Sequence, residues 1–235
     1  KYSFHSKSPF LRIKVKLKKE IVTMGVNNIN PNSQSGKYLN PDQWNNFIKD
    51  PNVIVVDTRN DYEIKIGKFE NSINPMTKNF REFPSWVSYF SKKFKKKKNI
   101  KIAMYCTGGI RCEKSTSLMK TYGFENVYHL KGGILNYLKS IPKNKSLWQG
   151  ECFVFDDRVS LNHQLKKGTY DLCHACRTPI KKEEMKNKFW VEGVSCLNCH
   201  DKTTKKQRIR FSERNKQINL AKERGEQHLG KKLKF

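Results

Sequence analysis

Ile100-Lys101-Ile102-Ala103-Met104-Tyr105-Cys106-Thr107-Gly108-Gly109-Ile110-Arg111-Cys112 is the stretch whose reading decides the fold. Ile100 to Tyr105 has the composition of a buried strand, and Glu113 to Tyr122 continues as a helix. The glycine-bearing loop between them puts Cys106 at the carboxyl end of a strand, where open α/β sheets place their chemistry. The amides of Thr107, Gly108, Gly109 and Ile110, with the dipole of the helix they open, point toward such a sulfur and favour its thiolate. Arg111 adds a full positive charge. Two glycines and an arginine are poor neighbours for a merely structural cysteine, so Cys106 is nominated as a nucleophile and Arg111 as its electrostatic partner.

Working outward, Val53 to about Ile141 alternates strand-like and helix-like segments, as a parallel sheet with crossover helices demands. Asn40-Pro41 opens a short helix by cap and first-turn logic, with Trp44, Phe47 and Ile48 on its inner side. Upstream, Leu11, Ile13, Val15 and Leu17 alternate with Arg12, Lys14, Lys16 and Lys18, which predicts a strand with one buried and one cationic face. That cationic face is either solvated or a set of phosphate contacts. Asn27 to Lys37, rich in Asn, Ser, Pro and Gly, reads as a linker. The basic run Lys92 to Lys98 reads as a solvated helix end or an RNA contact.

After Trp148 the grammar changes. Cys173-His174-Ala175-Cys176 is separated by 19 residues from Cys196-Leu197-Asn198-Cys199, the spacing of a tetrathiolate zinc ribbon. Each knuckle lets two sulfurs reach one ion, and a segment too small to bury much core gains stability from a metal. Cys173, Cys176, Cys196 and Cys199 are therefore the expected zinc ligands, with His174 and His200 as bystanders. The final stretch is strongly basic, and Phe211, Ile218 and Ala221 lie at the spacing of a thin apolar helical stripe. Lys205, Lys206, Arg208 and Arg210 are candidate phosphate contacts, set against the reading of a solubilising tail.

The chain carries 48 Lys and Arg against 21 Asp and Glu, a formal charge of +27 that points to polyanionic partners. Lysine and asparagine are abundant throughout, so where the charge sits matters more than its sum. No apolar run long enough to span a membrane occurs, and Lys1 to Phe10 lacks the apolar core of a signal peptide. Seven cysteines without an export signal suggest thiol chemistry and metal binding in a reducing compartment, so a cytoplasmic protein with no membrane partner is expected. Neither a Gly-x-Gly-x-x-Gly fingerprint nor a histidine-carboxylate iron set is present.

The loop resembles the active-site loop of rhodanese-like domains, Cys-x-x-Gly-x-Arg, with Cys106 and Arg111 at the cysteine and arginine. Val53 to Arg59 resembles the family strand ending in Asp-x-Arg; Tyr62-Glu63, Gly67, Ser72-Ile73-Asn74, Gly123-Phe124 and Val127 to Gly133 agree, while Lys68 stands where many relatives carry histidine. A narrower likeness extends over nearly the full chain. Lys18 to Thr23, Asp57 to Glu63, Phe80 to Pro84 and Cys106 to Ser115 are similar to the bacterial rhodanese-family tRNA uridine(34) hydroxylases, TrhO.

The expected architecture is thus an α/β rhodanese-like parallel sheet flanked by helices (37–147), with a cysteine-rich zinc-ribbon-like module (148–200) and a basic tail (201–235). Relatives carry a further amino-terminal domain, so 1–36 is expected to be its remnant or connection. The resemblance implies oxidation of the wobble uridine of tRNA to 5-hydroxyuridine with molecular oxygen, the anticodon loop being the partner. It also implies no flavin or haem, with which the missing fingerprint and iron set agree. Thr107 to Ile110 would also cradle a developing oxyanion. Cys112 is either a resolving thiol for an oxidised Cys106 or a helix residue facing the core. The competing activity is a persulfide-forming sulfurtransferase. Oligomeric state is not legible.

Overall fold

Along Lys101–Tyr105 the side chains alternate between two apolar clusters, Ile102 and Met104 entering one and Ala103 and Tyr105 the other. A strand buried on both faces has no polar face to offer, which is why the segment reads as a continuous apolar run. The structure is a computed structural model and describes residues 15–27, 29–94 and 99–226. They fall into two compact units, one of residues 18–154 and 161–167, the other of residues 15–17, 155–160 and 168–226.

In the first unit the order is α1 (Pro31–Gln34), β1 (Lys37–Leu39), α2 (Pro41–Ile48), β2 (Val53–Asp57), α3 (Asp61–Ile64), β3 (Gly67–Phe69), α4 (Phe83–Lys93), β4 (Lys101–Tyr105), α5 (Ile110–Thr121), β5 (Val127–Leu130), α6 (Gly133–Ser140) and β6 (Trp148–Gly150). Four strands form one parallel sheet in the order β1-β5-β4-β2, and β3 pairs antiparallel with β6 beside it. Met24, Phe83, Val87, Phe90, Leu118 and Met119 cover one face; Trp44, Ile134, Tyr137 and Leu138 cover the other. This is the predicted rhodanese-like α/β fold, and it points the carboxyl end of β4 at the Cys106 loop.

Two sequence expectations are corrected. Residues 15–19 form no strand, and Val15 and Leu17 are 88% and 101% exposed. Alternation buries a face only where a sheet edge accepts the strand, and none among the described residues does so. Leu11, Arg12, Ile13 and Lys14 lie outside the described residues. The predicted linker, in turn, is docked. Pro31 to Gln34 is helical under an Asn30 cap, Gly36 donates its amide to Thr116 Oγ1 at 2.9 Å, and Lys120 Nζ donates to Ser35 O at 2.9 Å. A Cβ on Gly36 would stand 2.8 Å from Val127 O, so the approach requires glycine.

After β6 come β7 (Cys152–Phe153) and β8 (Ser160–Leu161); the second unit holds the antiparallel pair β9 (Asp171–Leu172) and β10 (Pro179–Ile180), then α7 (Lys205–Glu223). Thr204 caps α7 reciprocally: its hydroxyl accepts from Gln207 N at 3.2 Å and its amide donates to Gln207 Oε1 at 2.8 Å. Phe211 and Ile218 are half-buried and Ala221 is buried, the predicted stripe.

His129 on β5 is fully buried, its ring tilted 35° against Tyr38 with centroids 4.1 Å apart, and neither ring nitrogen has a hydrogen-bond partner among the described residues. Burial holds its pKa down, from 6.5 to about 4, against a smaller opposing pull from Glu113. The folded state therefore keeps His129 neutral where the unfolded chain takes up a proton. Stability is predicted to fall as pH drops from about 6.5 toward 4, by up to about 3 kcal/mol. His129→Phe should flatten the decline of the urea midpoint between pH 6.5 and 4.5.

Candidate functional site

The loop from Cys106 to Gly109 leaves β4 and enters α5 through Gly109, whose φ of 95° only glycine adopts without strain. Its carbonyls are held from the other side. Ile134 and Leu135, in the first turn of α6, donate their amides to Cys106 O at 2.9 Å and Thr107 O at 3.1 Å. Gly133 permits that approach: at φ 65° a Cβ would lie 2.5 Å from Cys106 O and 2.7 Å from Gly109 N. The Gly132-Gly133 pair thus clamps the loop, a role sequence reading assigned to neither glycine.

Cys106 Sγ accepts from Gly109 N at 3.1 Å, and the carbonyl of Gly109 accepts from Cys112 N at 3.0 Å. Burial, with the residue 1% exposed, would raise the Cys106 thiol; the Cys112 thiol, the Arg111 charge and the two amides outweigh it and bring its pKa down to about 6. Burial and the adjacent Cys106 sulfur push Cys112 well above the ordinary range. The pair consequently shares one negative charge, resident on Cys106 at neutral pH. Thr107 is half-buried, Gly108 and Ile110 are exposed, and Ile110 is an apolar rim at 51% exposure.

Arg111 does more than lend charge. Its guanidinium grips Glu63 bidentately, Nη1 to Oε2 and Nη2 to Oε1 both at 2.7 Å, and reaches Thr107 Oγ1 at 3.3 Å. Glu63 is fully buried on α3 and also accepts from Asn60 N at 3.1 Å. Sequence reading had Glu63 only as a family mark; the signal for its role is the carboxylate that a buried arginine must find. A second buried pair lies behind it, Arg59 bonding Asp57 at 2.6 Å and the carbonyls of Glu63 and Gly67 at 3.2 and 2.6 Å.

In the second unit the Sγ atoms of Cys173, Cys176, Cys196 and Cys199 lie within 4.8 Å of one another, Cys176 and Cys199 each 3.7 Å from Cys196. Zinc–sulfur bonds of about 2.3 Å in a tetrahedron place sulfurs about 3.8 Å apart, so the four thiols fit a zinc ion. They would supply a closed structural site, holding together two knuckles that otherwise share only a small apolar cluster with Ile180, Met185 and Trp190. His174 and His200 are not among the converging groups. His200 stacks on Phe189, with centroids 3.7 Å apart, and pairs with Asp201.

The predicted cationic residues are placed as follows. Lys16, Lys18, Lys205, Lys206 and Arg210 are exposed. Arg208 is exposed too, but its guanidinium is committed to His200 O and Thr203 Oγ1. Arg214 anchors α7 to the knuckles through His174 O at 2.9 Å and Gly193 O at 3.1 Å, a docking role that no local pattern singles out. A cavity of about 440 Å³, lined by Asp42, Asn45, Lys49, Asn144 and Lys145 among others, includes none of the predicted site residues.

Two outcomes test this geometry. Arg111→Ala should raise the pH midpoint of Cys106 alkylation by about one pH unit or more, and Glu63→Gln, which leaves the guanidinium uncompensated, should lower it. Iodoacetamide rates against pH read both. Elemental analysis should find about one zinc per chain, and its removal should unfold the segment between Cys173 and Cys199.

No helix of the described residues is long and apolar enough to cross a membrane. The sequence pattern of the rhodanese-like domain matches residues 40–140. Among solved structures, the chain is similar to a single-domain sulfurtransferase from Saccharomyces cerevisiae (23% identity, covering 45% of this chain and 91% of that one, TM-score 0.37). It is also similar to a rhodanese-related protein from Thermoplasma volcanium (24%, 45% and 95%, TM-score 0.34) and a rhodanese-like domain protein from Staphylococcus aureus (21%, 43% and 90%, TM-score 0.33). Residues 40–140 thus match the rhodanese-like domain and carry its α/β fold, with Cys106 at the strand end and the glycine-clamped loop around it.

Proposed function

We propose that this protein hydroxylates the wobble uridine of tRNA at C5, using dioxygen and the Cys106 thiolate. The observation that carries this reading is the sulfur itself: Cys106 Sγ sits at the end of a parallel strand and takes the Gly109 amide at 3.1 Å, and Cys112, Arg111 and the loop amides favour its thiolate. C5 of uracil is poorly reactive, but C6 is a Michael-type electrophile. Addition of Cys106 to C6 makes C5 enolate-like and able to bond oxygen, with the loop amides and Arg111 stabilising the charge that develops. An anticodon-loop base is unpaired, so presenting it costs little unstacking.

The segments that separate this reading from a generic rhodanese are packed onto the domain. Glu20, in the Lys18 to Thr23 motif, pairs with Lys114 of α5, which also donates to Val22 O at 3.0 Å, and Lys114 holds the Glu20 carboxyl down at about 2. Phe80 and Phe83, in the Phe80 to Pro84 motif, are buried against the same face of the sheet. Zinc in the second unit would supply structure only, and the exposed cations of α7 would supply phosphate contacts. A second reading has a specific observation behind it. The same amide-cradled thiolate would hold sulfane sulfur as a persulfide, as a sulfurtransferase requires.

Cys106→Ser should abolish 5-hydroxyuridine formation and leave tRNA affinity unchanged, since a hydroxyl is nearly isosteric but far less acidic. Mass spectrometry of nucleosides from tRNA treated with each form decides this. Hydroxyuridine absent from the wild-type reaction, with Cys106 heavier by one sulfur atom after exposure to a sulfane donor, selects the sulfurtransferase instead. For RNA binding, replacing Lys205, Lys206 and Arg210 by alanine should reduce the slope of log affinity against log salt by up to about 3. Replacing Lys16 and Lys18 tests the upstream set, and an unchanged slope in both variants means the charge is only compositional.

A further inference from the structure

Hydroxylation by dioxygen places one oxygen atom on C5 and must release the other as water, which consumes two electrons that uridine does not provide. The pairing of Cys106 with Cys112 bears on where they come from. Cys112 is the third residue of α5, fully buried in the same apolar cluster as Cys106, and its amide bonds the carbonyl of Gly109 at 3.0 Å, the residue whose own amide bonds the Cys106 sulfur at 3.1 Å. Thr58 Oγ1 lies 3.6 Å from Cys112 Sγ on its other side and is itself bonded to Tyr105 O at 3.1 Å, which fixes the thiol in place. The start of α5 is pinned by the Arg111–Glu63 pair. The remaining thiol of this unit, Cys152, belongs to the apolar cluster on the opposite face of the sheet and points its sulfur toward Phe153 O at 3.6 Å.

We propose that Cys112 is the reductant of the reaction, and that each turnover closes a disulfide between Cys106 and Cys112. The inference rests on the hydroxylase reading. After Cys106 adds to C6, C5 bonds dioxygen and takes up a proton to become a hydroperoxide. The Cys112 sulfur attacks the distal oxygen. The O–O bond breaks with its electron pair going to the oxygen on C5, which takes the thiol proton, and Cys112 becomes a sulfenic acid. Loss of the C5 proton expels Cys106 from C6 and restores the ring double bond. The freed Cys106 thiolate then attacks the Cys112 sulfur and displaces hydroxide, which leaves as water with the C5 proton. In sum, uridine, dioxygen and two thiols give 5-hydroxyuridine, water and one disulfide. The high pKa of buried Cys112 suits this order, because the thiol retains the proton that the C5 oxygen needs. The next turnover requires an external dithiol, so a thiol–disulfide exchange reaction must follow this one.

The experiment is a single-turnover assay. Reduced full-length protein, freed of added thiol, is mixed with oxygen and a transcribed tRNA carrying uridine at the wobble position, then quenched with an alkylating agent. The expected result is about one hydroxyuridine per enzyme, with the peptides of Cys106 and Cys112 joined and two hydrogens lighter, and repeated turnover once dithiothreitol is added. Cys112→Ser and Cys112→Ala should form no product in that single turnover. Many turnovers without thiol, or wild-type product with both cysteines free, overturns the proposal even if neither variant folds. Product at the wild-type level from a folded Cys112 variant overturns it as well. No hydroxyuridine from wild type supplied with dithiothreitol overturns the hydroxylase reading and this inference together, so the two failures are distinguishable.

Discussion

The site depends on two buried arginine–carboxylate pairs that tie one strand end to the next. Arg111 leaves α5 to grip Glu63 on α3, and Arg59, at the end of β2, holds Asp57 together with the carbonyls of Glu63 and Gly67. Each guanidinium is cut off from water, and a lone buried charge costs several kcal/mol. The bidentate geometry and the carbonyls around it make the arrangement tolerable and specify one relative placement of α3, β3 and the loop. Removing either carboxylate would leave an arginine without a counter-charge in the core. The pairs thus act as a frame, and Cys106 is held at the edge of that frame.

Within the frame, opposing electrostatic effects set the nucleophile. Full burial works against a thiolate; the directed amides of Gly109 and Cys112, the Cys112 thiol and the Arg111 charge work for it, and they win. Glu63 moderates the result by taking up part of the arginine's positive charge. The amides can aim at the sulfur because the loop carbonyls are turned the other way, onto the first turn of α6, and two glycines with positive φ let the backbones meet there. A thiolate without its own pocket of water needs this kind of prearranged support.

The second unit solves its stability problem by other means. Its apolar cluster is made largely of the cysteines themselves, so a bound ion would do what a core does elsewhere. Arg214 fixes α7 to the knuckles and the Thr204 cap closes its start, giving a helix with one thin apolar stripe and several exposed cations elsewhere. Arg208 shows that a basic residue in such a helix need not face a ligand, since its donors are used on the chain's own carbonyl and hydroxyl groups.

The sequence alone determined whatever depends on local pattern: the apolar runs of β2 and β4, the strand–loop–helix at Cys106, the helix start at Pro41 and the paired knuckles. These are set by periodicity, glycine placement and spacing, which act over a few residues. It misread Val15 to Lys18, because alternation specifies a strand only where a partner edge exists, and it read Asn27 to Lys37 as a linker, because Gly36 meets Thr116 only after folding. Glu63, Gly133 and Arg214 had no legible roles for the same reason. That Cys112 enters the core was likewise undecided until α5 was packed on the sheet, where it shares one apolar cluster with Cys106. Contacts between residues far apart in the chain were settled by the tertiary structure alone, since burial is what forces a charge to find its counter-charge and a loop carbonyl to find its amide.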